Sequence, residues 1–187
     1  MIDENALGLL VSYFGIEDDE YGSDEVNSFV ERFRAFRDCV VELAVERPPG
    51  EAVRLLALGH AIYLEVAEDE RTGDPLAWLR TVRERLASQH IASVAILSHG
   101  GRWLEEDAPG PVIHQEPLRW FEWSAPSEPL RRALYAETAT HPMVDEASGW
   151  GAGLYADTEA LEALGRHPKN APTPLEVAGA VFYRVSR

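Results

Sequence analysis

The stretch Val53-Arg54-Leu55-Leu56-Ala57-Leu58-Gly59-His60-Ala61-Ile62-Tyr63-Leu64-Glu65-Val66 marks a change of period in the chain. Its apolar residues run almost without a break, which fits a buried strand pair interrupted at Gly59-His60 and also a buried helix. Strand is the favoured reading for at least 61–67. Immediately after it, Glu68-Asp69-Glu70-Arg71-Thr72-Gly73 reads as a charged loop. Asp74-Pro75 then supplies an N-cap followed by proline at the first helical position, opening a helix with Leu76, Leu79, Val82 and Leu86 on one face.

Upstream, helical periodicity dominates. Ser23 is a suitable N-cap, Asp24 and Glu25 place negative charge in a first turn, and Val26, Phe29, Val30, Phe33, Phe36, Val40 and Leu43 form a seam that ends at Arg47-Pro48-Pro49-Gly50. Before it, Leu7, Leu10, Val11 and Phe14 have i, i+3, i+4, i+7 spacing, which predicts a further helix from Asp3 to about Phe14, stopped by Gly15.

Downstream, Ile91 to Ser98 is an apolar β-run, His99-Gly100-Gly101 a turn, and Arg102 to Glu105 a returning strand, together a hairpin. Val112 to Trp123 reads as an edge strand interrupted by Pro117. Ser127-Glu128-Pro129 starts a helix to about Thr140, Trp150 to Ala156 is a short strand, Asp157 caps another helix, and Leu175 to Val185 forms the last strand. The expected fold is α+β: a mixed, largely antiparallel sheet with packed helices and two extra N-terminal helices. Residues 1–187 are expected to form a single domain, with helical residues 1–50 packed on an α+β body of 51–187.

A formal net charge of −15 disfavours nucleic acid and anionic membrane as partners and favours a basic protein surface. The single cysteine, Cys39, excludes an internal disulfide and a cysteine-built zinc cluster, and fits a reducing cytoplasm. The opening residues lack the basic flank of a secretory signal, so a cytoplasmic location is expected. The six histidines form no HExxH or HxH arrangement, and the acidic runs lack calcium-loop spacing. No GxSxG, Walker or GxGxxG sequence follows a strand. Neither a metal nor a cofactor is therefore expected.

Two short elements invite comparison with a known enzyme family. Ser98-His99-Gly100-Gly101 and Gly151-Ala152-Gly153-Leu154-Tyr155 resemble the His-Gly-Ser/Thr and Gly-x-Gly-x-Tyr elements of the ADP-ribosyltransferases, with Gly101 where that family has Ser or Thr. The resemblance implies NAD as substrate, His99 on its ribose, Tyr155 on its nicotinamide, and Glu176 as the late-strand glutamate. It requires His99 and Tyr155 to line one cleft.

The preferred reading follows from acidity and aromatic residues. Trp103 and Trp120, with Glu105, Glu106 and Asp107, form an aromatic and acidic mixture suited to gripping a basic partner, and Glu17, Asp18, Asp19 and Glu20 form a second acidic patch. The expectation is a non-enzymatic, immunity- or antitoxin-like protein that binds and masks a partner, for which a basic toxin is a natural target. The alternatives are the NAD-dependent transferase and a structural subunit of a larger assembly.

Overall fold

The computed structural model describes residues 4–15, 25–51, 53–102, 112–113, 121–122, 127–140, 151–167, 174–177 and 179–186. The strands are β1 (Glu4–Gly15), β2 (Val53–Ala57), β3 (Ala61–Ala67), β4 (Ala92–Arg102), β5 (Val112–Ile113), β6 (Phe121–Glu122), β7 (Gly153–Asp157), β8 (Leu175–Val177) and β9 (Ala180–Ser186). The helices are α1 (Glu25–Glu46), α2 (Pro75–Ala87), α3 (Glu128–Thr140) and α4 (Thr158–Ala163). Seven strands form one sheet in the order β2-β3-β1-β4-β7-β9-β8. The β4–β7 pair is parallel and the other pairs are antiparallel. The mixed α+β architecture expected from the sequence is present.

The two extra N-terminal helices are not. Among the described residues before Gly50, only α1 is helical, and the residues read as the first helix are β1, which lies between β3 and β4. Leu7, Leu9 and Val11 enter the core on one face, while Leu10 enters the core on the other. A strand buried on both faces loses the polar alternation by which strands are recognised, and its apolar residues fall on helical spacing by coincidence.

The sheet separates two layers. Against one face pack α1 through Phe36, Val40 and Leu43, α2 through Leu76, Leu79, Val82 and Leu86, and α4 through Ala160 and Leu161. Tyr13 on β1 meets Phe33 and Phe36 edge-on at centroid distances of 6.0 and 5.7 Å, fixing α1 to the sheet. Against the other face lies α3, through Leu130, Ala133 and Ala136, over Leu10, Tyr63, Ile96, Tyr155 and Phe182. Each large side chain so enclosed contributes about 1.5–3 kcal/mol relative to exposure.

Local signals hold where they depend on caps. Asp74 accepts the backbone N–H of Leu76 at 3.1 Å, as its position before Pro75 implies. Residues 53–67 form the β2–β3 hairpin, with Gly59 at φ +70° in its turn, a left-handed conformation that glycine takes without strain. The expected hairpin at His99-Gly100-Gly101 is replaced by a continuous β4 reaching Arg102. Its glycines answer to a close approach instead: a Cβ on Gly100 would stand 2.9 Å from Glu128 Oε2. In place of one strand over 112–123, the described residues show two short strands, β5 and β6, paired with each other. The last strand is a hairpin of β8 and β9.

Candidate functional site

Three side chains far apart in sequence meet where β1 ends and the β2–β3 turn begins. Ser12 lies opposite Ala61 on β3, and the backbone N–H of Tyr13 donates to the His60 carbonyl at 2.9 Å, so the turn is tied to β1. From the facing helix, Glu137 of α3 is buried, with 6% exposure, and its Oε1 receives two groups. The Ser12 hydroxyl donates at 2.9 Å, and His60 Nε2 lies at 3.2 Å. Ser12 is fully buried, whereas the His60 side chain is 57% exposed. The result is an accessible imidazole seated on a sequestered, doubly bonded carboxylate. A carboxylate oxygen accepts hydrogen bonds, so Nε2 is the ring atom placed to donate to Glu137 Oε1.

A second polar network occupies the other end of the same helix. Arg132 reaches Glu128 Oε1 at 2.7 Å, Glu159 at 3.1 Å, Asp157 at 3.6 Å and the His99 carbonyl at 3.1 Å. Asp157 accepts N–H groups from Ala160 at 2.7 Å and His99 at 3.0 Å, capping α4 and joining β7 to β4. Its complete burial raises its pKa to about 6, opposed in part by those two hydrogen bonds and by Arg132. Nearby, Tyr63 donates to Glu65 at 2.8 Å and contacts Ser127 at 3.3 Å. Burial and the Glu65 carboxylate hold the Tyr63 phenol well above its ordinary range. These groups bond chiefly to one another and to backbone, which marks them as fasteners of α3 and α4.

His99 and Tyr155, singled out from the sequence as one cleft, are not brought together. His99 follows Leu97 along the face that carries α1, α2 and α4, and its Nε2 lies 3.1 Å from Glu68. Tyr155 points to the α3 face, with its hydroxyl donating to the Gly151 carbonyl at 2.7 Å. The two therefore stand on opposite faces of the sheet and cannot line one cleft. Glu176 is exposed on β8, at the sheet edge. Trp103, Glu105, Glu106, Asp107, Trp120, Glu17, Asp18, Asp19 and Glu20 lie outside the described residues.

The Ser12, His60 and Glu137 cluster was missed because no local motif joins the three. A trace was nevertheless present. Glu137 falls seven residues after Leu130, on the buried stripe of α3, where a charge requires a partner.

Among the described residues, no group of three or more His, Cys, Asp or Glu is placed to hold a metal ion. No described helix is long and apolar enough to cross a membrane.

No protein-family model matches the sequence, and no curated protein matches it significantly. Similarity appears in the fold. The guanylyl cyclase Cya2 superposes with a TM-score of 0.53 at 11% identity, over 98% of this chain and 93% of its own. The adenylyl cyclase CyaB from P. aeruginosa gives 0.53 at 8% identity, over 97% and 93%. The guanylate cyclase domain of RhGC from Catenaria anguillulae, solved in complex with GTP, gives 0.51 at 10% identity, over 98% and 97%. This similarity corrects the expected immunity-like, partner-masking protein: the chain has a nucleotide-cyclase-like fold.

Proposed function

We propose that this chain is a nucleotide-binding domain of the cyclase type, which receives a nucleoside triphosphate at the end of the sheet marked by Ser12, His60 and Glu137. The observation that carries the reading is the fold similarity to three cyclases, which runs along 97–98% of the chain and includes a domain bound to GTP. The cluster supports the choice of end, because it pairs an accessible titratable ring with a rigid buried acceptor, whereas the Arg132 network is largely self-satisfied. A net charge of −15 repels a bare triphosphate, so the ligand expected is its magnesium complex, which arrives with much of its charge already neutralised.

Calorimetric titration of the protein with GTP and with ATP, each with and without magnesium, tests the reading. Saturable binding of a triphosphate, stronger with magnesium, is the expected result. Absence of heat and of any thermal stabilisation with both nucleotides rules it out.

A further inference from the structure

We propose that Arg83 and Arg184 together form a binding site for a phosphate-class oxyanion, at the end of the sheet where β4 and β7 begin. The site stands independently of the nucleotide reading above. Two separate layers of the fold supply the arginines. Arg83 comes from α2, on one face of the sheet, and Arg184 from β9, where it pairs with Tyr155 on the α3 face. Arg83 Nε donates to the Ser93 carbonyl at 3.4 Å. The next residue, Val94, pairs with Gly153 on β7, and a Cβ on Gly153 would stand 3.1 Å from Arg184 Nε. The anchors of the two guanidinium groups thus lie on neighbouring strands, which run about 5 Å apart.

Backbone groups orient both side chains. Arg184 Nη2 donates to the Ala152 carbonyl at 2.8 Å, and its Cζ stands 5.8 Å from the centroid of the Tyr155 ring. That ring is fixed in turn by Gly151, whose N–H donates to the Tyr155 hydroxyl at 3.1 Å and whose carbonyl accepts from it at 2.7 Å. Arg83 uses only Nε on Ser93, so its two terminal nitrogens hold no acceptor among the described residues. Both arginines are partly exposed.

In a chain of net charge −15 a carboxylate partner for Arg83 would be easy to supply. Among the described residues, the titratable groups that act on it are instead Arg184 and the Tyr155 phenol. Burial and the Arg184 charge hold the Arg83 guanidinium below its ordinary range. Two like charges at adjacent strand ends repel, and a dianion between them replaces that repulsion with two attractions. Arginine suits this ligand, because its planar fork of N–H groups matches two oxygens of a phosphate. Free phosphate and the phosphates of a nucleotide offer the same chemistry. The sheet end is also the one that carries Ser12, since its neighbour Tyr13 lies opposite Ser93.

Calorimetric titration with inorganic phosphate and with pyrophosphate, at constant ionic strength, tests the site. Saturable binding by the wild type is expected, tighter for pyrophosphate. Arg83→Met keeps the aliphatic stem and removes the charge, and affinity is expected to fall roughly 10- to 100-fold. Arg83→Lys, which keeps the charge without the fork, is expected to bind with intermediate affinity. Arg80→Met, at an exposed position one turn earlier on α2, makes the same change in net charge and is expected to bind as the wild type does. Thermal unfolding separates loss of the site from loss of the fold: Arg83→Met is expected to melt close to the wild type in phosphate-free buffer and to lose the stabilisation by pyrophosphate. Titration with GTP distinguishes the two sources. An equal loss of GTP affinity in Arg83→Met assigns the anion to the nucleotide, and unchanged GTP affinity assigns it to free phosphate, either of which upholds the site. Absence of GTP binding beside retained phosphate binding would remove the nucleotide reading and leave this site standing. No saturable binding of phosphate or pyrophosphate to the wild type would overturn the site, as would equal binding by Arg83→Met or the same loss in Arg80→Met.

Discussion

Asp157 and His99 are joined across two parallel strands: the wholly buried carboxylate of Asp157 accepts the backbone N–H of His99 at 3.0 Å. Burial raises the Asp157 pKa from 3.8 to about 6. Between those values the folded protein binds a proton that the unfolded chain has released, so stability falls as pH rises. The contribution is fully present below pH 3.8 and is lost as pH passes through about 6. Its size is about 3 kcal/mol, because each tenfold change in proton affinity is worth about 1.4 kcal/mol. Urea titrations of wild type and Asp157→Asn from acid to neutral pH isolate it. The advantage of wild type over the variant is expected to shrink by that amount on going to neutral pH.

Arg132 is the counter-charge to this carboxylate and to two others. Its guanidinium reaches Glu128, Glu159 and Asp157 while only 14% of the side chain is exposed. Arg132→Met keeps the aliphatic packing and strands the buried Asp157 without its cation. A loss of about 3–5 kcal/mol is expected from chemical denaturation. Arg37, which pairs with Asp38 in solvent, provides the contrast, and Arg37→Met is expected to change stability by less than about 1 kcal/mol.

Gly8 sets how closely α3 approaches the sheet. A Cβ there would stand 2.6 Å from the Tyr63 hydroxyl oxygen and 2.8 Å from Pro129 Cβ, so strand, ring and helix would have to separate. Gly8→Ala is expected to destabilise the protein by about 1–3 kcal/mol, read as a lower urea midpoint. Gly73→Ala, with nothing within 4 Å of the added atom, is the matched control and is expected to be nearly neutral.

What the sequence revealed depended on how local each signal was. The helix after Asp74-Pro75 and the one after Asp157 were legible because a cap and a few following residues suffice to specify a helix start. The identity of β1 was not legible, since its burial on both faces comes from neighbours contributed by β3, β4 and the helices. At His99-Gly100-Gly101 the glycines suggested a turn, yet Gly100 makes room for Glu128, a contact 28 positions away. The site shows the same limit: 48 positions separate Ser12 from His60, and 77 separate His60 from Glu137. Only the sheet order and the placement of α3 bring them within hydrogen-bond reach.

A nucleoside triphosphate is proposed to occupy the end of the sheet where Ser12, His60 and Glu137 meet. The most direct measurement is an NMR titration of the histidine-labelled protein with GTP and magnesium, following ring resonances assigned by single substitutions. His60 and His99 serve as opposite reporters, since one lies in the β2–β3 turn and the other pairs with Leu7, at the far end of β1 and on the other face. The expected result is a saturable shift of the His60 ring with His99 unmoved. Shifts confined to His99, or none at saturating nucleotide, would contradict the claim.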